Sequence, residues 1–233
     1  MPKQNSVLPQ VAKSGIDFLK ALRKNNNRDW FNARKDQYLV QQDNMIEVAE
    51  ALLQQMNAHD EIETRSGKES LYRIYRDTRF SSDKTPYKDN WGGRFKRATK
   101  YRRGGYYYQV GPGNSFIAGG FWAPNTADLK LIRDDIAFDA TPLRKILNSR
   151  PFVQTFGSLK GEQLKTAPKG YPSDHEAIDL LRYKQFLLIK KFTDEEVLSP
   201  NFVKEANQAF KNMRPFLDYM SEVLTTDANG LSQ

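Results

Sequence analysis

The run from Arg73 to Lys88, Arg-Ile-Tyr-Arg-Asp-Thr-Arg-Phe-Ser-Ser-Asp-Lys-Thr-Pro-Tyr-Lys, crowds cations, carboxylates, phenols and hydroxyls into sixteen residues. A guanidinium is always charged and offers planar donors that fit a carboxylate or a phosphate. Arg76 and Arg79 flank Asp77, so the carboxylate can hold one arginine while the other meets a ligand. Ser81, Ser82 and Thr85 add hydroxyl donors, and Lys84 and Lys88 add mobile positive charge. Arg76, Arg79, Lys84 and Lys88 are therefore the expected anion contacts. Asp77 and Tyr87 are the candidate proton-transfer groups, should any reaction occur. The same residues have a second reading, in which arginines and aspartates pin the loop to its own fold. The stretch lacks a glycine-rich Walker pattern, so it does not cradle phosphate in that manner.

Charge placement points to the same region. Residues 65–103 carry thirteen basic and four acidic residues, a local net of +9, whereas the rest of the 233-residue chain nets −1. Charge concentrated in this way directs a field toward anionic partners, or forms a solvated basic face. Arg94, Lys96, Arg97, Lys100, Arg102 and Arg103 lie beside Tyr106-Tyr107-Tyr108, a combination that can hold single-stranded nucleic acid by phosphate contacts and stacking. In a strand, Tyr107 faces away from its two neighbours. Trp122 is the remaining stacking candidate, although a tryptophan at a strand end is commonly core or rim.

Other chemistries find little support. The chain has no cysteine, which excludes disulfides, thiolate zinc and iron–sulfur sites and a cysteine nucleophile. The two histidines, His59 and His175, belong to no metal-binding spacing, and neither a metal nor a cofactor is expected. Asp174-His175 can be an acid–base pair, but a helix cap beside a surface imidazole suits it better. No G-x-S-x-G elbow is present. Met1–Gly15 has no apolar run and the longest apolar run is Phe186–Ile189, so no signal peptide, no membrane span and a cytoplasmic location are expected.

The elements that must position these residues fall into three groups. Ser14 and Asp17 suggest a capping box before a helix carrying Ile16, Phe18, Leu19 and Leu22. Asn25-Asn26-Asn27 ends that helix and can cap the next, in which Tyr38, Met45, Ala49, Leu52, Leu53 and Met56 recur at helical spacing. The centre reads as strands at Leu71–Arg76, Trp91–Lys96, Tyr106–Val110 and Ser115–Trp122, joined by short turns that imply antiparallel pairing. Gly119-Gly120 reads as a β-bulge in the last of them. Helical spacing returns from Asp128, at Thr141-Pro142, after an Asp174 cap with Ile178, Leu180 and Leu181, and from Ser199-Pro200 to Leu224. A kink or break is expected at Pro215. The expected fold is α+β: a central, mainly antiparallel sheet over residues ~70–122 packed by N-terminal and C-terminal helices, in one domain spanning 1–233 with 1–14 and 226–233 frayed.

The run Arg76-Asp77-Thr78-Arg79-Phe80-Ser81 followed by Asp83-Lys84-Thr85-Pro86-Tyr87-Lys88 resembles the signature of the DUF2461 family, bacterial proteins of unknown function. Phe18-Leu19, Asn25-Asn26 and Trp30-Phe31 resemble the family's opening. Gly119-Gly120-Phe121-Trp122 with Pro124 resembles its glycine–tryptophan strand end. Leu164-Lys165, Pro168-Lys169-Gly170-Tyr171 and Asp174-His175 resemble its later segment. The resemblance covers nearly the whole chain and implies a single domain centred on the same loop, but it implies no substrate.

Three readings follow. In the first, Arg76, Arg79 and Lys84 converge on a phosphorylated or carboxylated small molecule. In the second, the 94–103 strip binds nucleic acid on an open face. In the third, the motif only braces the fold or an interaction surface, with its arginines buried and paired.

Overall fold

The computed structural model describes residues 8–226. Four strands, β1 (Trp91–Lys96), β2 (Gly105–Val110), β3 (Ser115–Phe121) and β4 (Phe186–Phe192), form one central antiparallel sheet in the order β1-β2-β3-β4. Helices precede and follow the first three strands in sequence: α1 (Lys13–Lys24), α2 (Arg28–Asn32), α3 (Lys35–Met56) and α4 (Gly67–Ser70) before them. After them come α5 (Thr126–Phe138), α6 (Thr141–Leu147), α7 (Arg150–Phe156) and α8 (Ile178–Leu181), then, beyond β4, α9 (Asp194–Leu198) and α10 (Phe202–Thr225). The α+β class with flanking helices is thus the observed one.

The contacts within the chain gather into two compact units. The first draws on the sequence through Phe95, on Tyr107–Ile117 and on Lys191–Gln208. The second draws on Lys96–Tyr106, Ala118–Lys190 and the sequence from Ala209 onward.

In the first unit, α1 buries Ile16, Phe18, Leu19 and Leu22, the face its spacing predicts, and α3 buries Met45, Val48, Ala49, Leu52 and Met56. Each of the larger of these side chains contributes about 1.5–3 kcal/mol. The capping box expected at Ser14 is not formed. Helix α1 begins at Lys13 with Ala12 at its N-cap, two residues earlier than that box implies, so Ser14 sits inside the first turn and donates to Gln41 Oε1 at 2.8 Å, while Asp17 pairs with Lys13. Asn27 does cap α2, accepting the Trp30 N–H at 2.9 Å. Of the stretch 1–14 expected to fray, residues 1–7 lie outside the described residues, but Val11 is buried and the Ala12 N–H donates to Asn44 Oδ1 at 2.9 Å. The expected frayed tail, 226–233, lies outside the described residues apart from Thr226, which still donates to Glu222 O at 3.0 Å.

Leu71–Arg76, expected as a strand, makes only isolated antiparallel bridges, Leu71 to Gly93 and Tyr75 to Tyr87. Its backbone changes partner along its length. Tyr72 donates to Gly92 O, and Arg76 donates to Pro86 O. Pro86 carries no N–H, so a ladder with that second partner cannot continue through it.

In the second unit, Tyr106 and Phe210 meet edge to face with centroids 5.2 Å apart, and Ile132, Ile136, Leu143, Phe152 and Leu180 are buried. Gly120 has φ +118°, and a Cβ there would stand 2.1 Å from Phe186 O. The close approach that requires glycine is therefore made by the chain's own β4 backbone. Strand β4 was hidden in the sequence because its apolar run, Phe186-Leu187-Leu188, is buried on both faces and shows no alternation. Asp174 does not cap α8, whose N-cap is Ala177. His175 does related work: its Nδ1 accepts the Ala177 N–H at 3.0 Å and its Nε2–H donates to Ala137 O at 3.2 Å. Helix α10 continues through Pro215 without a break. Met213, Phe216, Leu217 and Met220 around it are all fully buried, and their combined burial exceeds the ~3 kcal/mol a helical proline costs.

Candidate functional site

The site lies in the first unit and is assembled by one backbone pairing. Arg76 N–H donates to Pro86 O at 2.9 Å and Lys88 N–H donates to Ile74 O at 2.8 Å, on either side of the Tyr75–Tyr87 bridge. Tyr75 and Tyr87 then lie directly opposite each other, with ring centroids 5.5 Å apart, and Tyr87 stacks on Phe31 at 4.1 Å. Asn26 fastens this pairing from α1's end, donating to Tyr87 O at 2.9 Å and accepting from Tyr87 N at 3.1 Å. Of this aromatic pair Tyr87 belongs to the core, while Tyr75 is half exposed. Tyr87 is buried, and burial pushes its phenol up from the ordinary value.

Arg76 and Lys88 are brought together. They line a cleft of about 440 Å³ with Tyr72, Asp77, Asn90, Gly92, Tyr107 and Gln109. They also line a neighbouring cleft of about 420 Å³ with Arg23, Asn26, Asp83, Thr85, Tyr87, Asp89 and Asn90. In the first cleft, Lys88 Nζ donates to Arg73 O at 2.9 Å and stands 5.4 Å from the Tyr72 ring centre. Burial and the Arg73 charge hold its ammonium below the usual lysine range. Tyr107 donates to Gln109 Oε1 at 2.9 Å, and Gln109 in turn donates to Asn114 O at 2.9 Å, so this wall is fixed. Burial and the neighbouring Tyr72 hydroxyl raise the Tyr107 phenol above its ordinary value. The tyrosine triplet alternates as expected, with Tyr106 and Tyr108 buried and Tyr107 on the cleft side. Gly93 lets the sheet close beside the cleft, since a Cβ there would meet the Tyr108 ring at 2.4 Å.

The other motif residues are placed differently. Arg79 forks onto Asp77, with Nε at 3.0 Å and Nη2 at 2.6 Å, and its side chain is 77% exposed. That fork holds the Asp77 carboxyl below the usual range. Lys84 donates to Thr78 O at 2.9 Å and, like Arg79, lines neither of these two clefts. The loop tip exposes Phe80 almost completely, with the Arg79 guanidinium 5.9 Å from its ring centre. Asp83 accepts from Thr85 N at 2.9 Å and from Thr85 Oγ1 at 2.8 Å, and it pairs with Arg76. Those bonds bring its carboxyl down to about 2. Arg76 also donates to Thr85 Oγ1.

Trp122 belongs to the second unit, where it is 69% exposed, away from the motif in sequence and unit alike. The 94–103 strip is not uniformly open. The Arg97 side chain is fully buried, donating to Asp218 and, at 3.2 Å each, to Ser221 Oγ and Arg103 O. Arg103 pairs with Asp128. Among the described residues no three His, Asp or Glu side chains gather as a metal site, and no helix is long and apolar enough to cross a membrane.

Sequence reasoning missed Tyr72, Asn90, Gly92 and Gln109 in the cleft. Gly92 and Gln109 are reached through strand pairing, which a linear reading does not show.

Fold and site together define an α+β protein with a cationic, tyrosine-walled cleft at its first two strands. The chain belongs to the DUF2461 family of conserved hypothetical proteins, whose family profile matches residues 14–219. No curated protein and no solved structure matches it.

Proposed function

We propose that this protein binds a small phosphorylated or carboxylated molecule in the cleft lined by Arg76 and Lys88. The observation that carries the reading is the convergence of these two cations on one cleft whose polar wall is otherwise amide and phenol, with a single carboxylate among the described residues. Asp77, the one carboxylate lining that cleft, is already engaged by Arg79. An incoming anion therefore meets net positive charge, and charge-assisted hydrogen bonds from guanidinium and ammonium are the strong kind. The anion contacts are Arg76 and Lys88, while Arg79 and Lys84 shape the loop.

Bracing has its own support, since Arg76 meets Asp83 and Thr85. The two readings part in titration. With inorganic phosphate at low salt, followed by the amide resonances of Asn90 and Gln109, saturable shifts are expected. Arg76→Ala and Lys88→Met should each weaken binding about tenfold. Unchanged affinity in both variants, or no shift in the parent protein, rejects the pocket and leaves the bracing role. The nucleic-acid reading is the weaker one, because Arg97 and Arg103 spend their charge on Asp218 and Asp128.

A further inference from the structure

We propose that Lys88 is a nucleophile, its amine condensing with the carbonyl carbon of a small 2-oxo acid whose carboxylate Arg76 receives. This deepens the anion-binding reading and rests on it.

The geometry comes from the bridge. Around the Tyr75–Tyr87 pair, Arg76 stands opposite Pro86 and Ile74 opposite Lys88. Arg76 and Lys88 are therefore diagonal neighbours across the pairing, with backbones about 7–8 Å apart. Both are long side chains and both line the same cleft. A carboxylate held by one places the adjoining carbonyl carbon within reach of the other. Among the described residues no second lysine lines that cleft.

The surroundings suit an amine that must lose a proton and later carry charge again. Partial burial and a neighbouring guanidinium both disfavour the ammonium, and a lysine beside another cation is a recognised way to expose the lone pair. The Arg73 carbonyl accepts one N–H at 2.9 Å and so aims the nitrogen. The Tyr72 ring face favours a cation, and this attracts the iminium formed later as well as the resting ammonium. Tyr72, Asp77 and Tyr107 also line the cleft; Arg79 holds Asp77 as a carboxylate, which leaves the two phenols to pass protons to and from the carbonyl oxygen.

The step balances without a further reagent. The neutral amine forms a C–N bond to the carbonyl carbon, and the carbonyl oxygen takes a proton to give a carbinolamine. The C–O bond then breaks, the hydroxyl leaves as water with a second proton, and the C=N bond forms with one hydrogen on nitrogen. Ammonium plus oxo acid thus becomes iminium plus water.

The test uses the full chain with pyruvate as probe and sodium borohydride as hydride donor. Borohydride reduces a C=N bond to a stable secondary amine, which mass spectrometry locates after proteolysis. The expected result is one dominant adduct, on Lys88, lost in Lys88→Arg and reduced about tenfold in Arg76→Ala. Pyruvate binding is followed in parallel through the Asn90 and Gln109 amides, in the parent and in Lys88→Arg, which keeps the positive charge. Saturable binding with no adduct on Lys88, or with label spread evenly over surface lysines, overturns the nucleophile and leaves the anion pocket standing. Absence of binding by both pyruvate and phosphate in the parent protein overturns the two together.

Discussion

Two stretches carry the positive surplus of this chain, and they use it in opposite ways. In the 73–90 stretch, Arg76 and Lys88 are turned to a cleft walled by amides, phenols and the Arg79-bound carboxylate of Asp77. In the 94–103 stretch, Arg97 is sealed inside the second unit against Asp218, and Arg103 is paired with Asp128. Basic residues clustered in one span of sequence thus differ in the charge they present in space. A buried guanidinium whose charge is met by a carboxylate contributes to the fold and little to the outside field. A guanidinium at a cleft wall keeps donors for a guest even when one of them rests on Asp83. Local charge is evidence of a partner only after its internal counter-charges are counted.

The largest effect that would break this contrast is on stability. Asp218→Ala removes a carboxylate from a fully buried guanidinium and should cost on the order of 3 kcal/mol in denaturant unfolding, because desolvated charge is left with less compensation. A loss below about 0.5 kcal/mol would mean that Arg97 is not held as described. Arg76→Ala should cost under about 1 kcal/mol in the same assay, since its partner Asp83 is half exposed and solvent screens the pair. Equal losses in the two variants would erase the distinction between bracing and binding arginines.

A subtler test concerns Asp83. Its folded-state pKa is depressed to about 2 from an ordinary value of 3.8 by Thr85 and Arg76. A depressed carboxyl contributes its stabilisation above the unfolded value and loses it as pH falls through the folded one. The loop should therefore loosen between about pH 4 and pH 2, with the carboxyl carbon of Asp83 titrating near the lower figure. A midpoint near 3.8 would show that the Arg76–Asp83–Thr85 cluster does not persist in solution. The smallest effect is expected at the strip: Lys100 is not among the residues lining the cleft, so Lys100→Gln should leave phosphate affinity there within about twofold of the parent. A large drop there would move the anion site toward residues 94–103.

Much of the fold was legible because periodicity is local. The α1 face, the α10 face, the Asn27 cap and strands β1 to β3 follow from the spacing of apolar side chains and from turn residues. The errors share a cause. Ser14 and Asp174 have the right chemistry to cap a helix, but each helix begins elsewhere because packing, worth several kcal/mol, outweighs a cap worth about one. Leu71–Arg76 has strand composition but finds a different partner at each end. Of the site, the motif, the aromatic triplet and the charge cluster were visible, and so was the kinship with the DUF2461 family.

The sequence alone, then, set which groups are available: guanidinium, ammonium, carboxylate and phenol within one short run, and no thiol. Only the tertiary structure decided which of them face a cavity. Whether a cation is free for a ligand depends on the carboxylate nearest to it in space. For Arg79 that carboxylate is two residues away, and for Arg97 it is 121 residues away. Coulomb and desolvation energies depend on distance and burial, and the order of residues along the chain specifies neither.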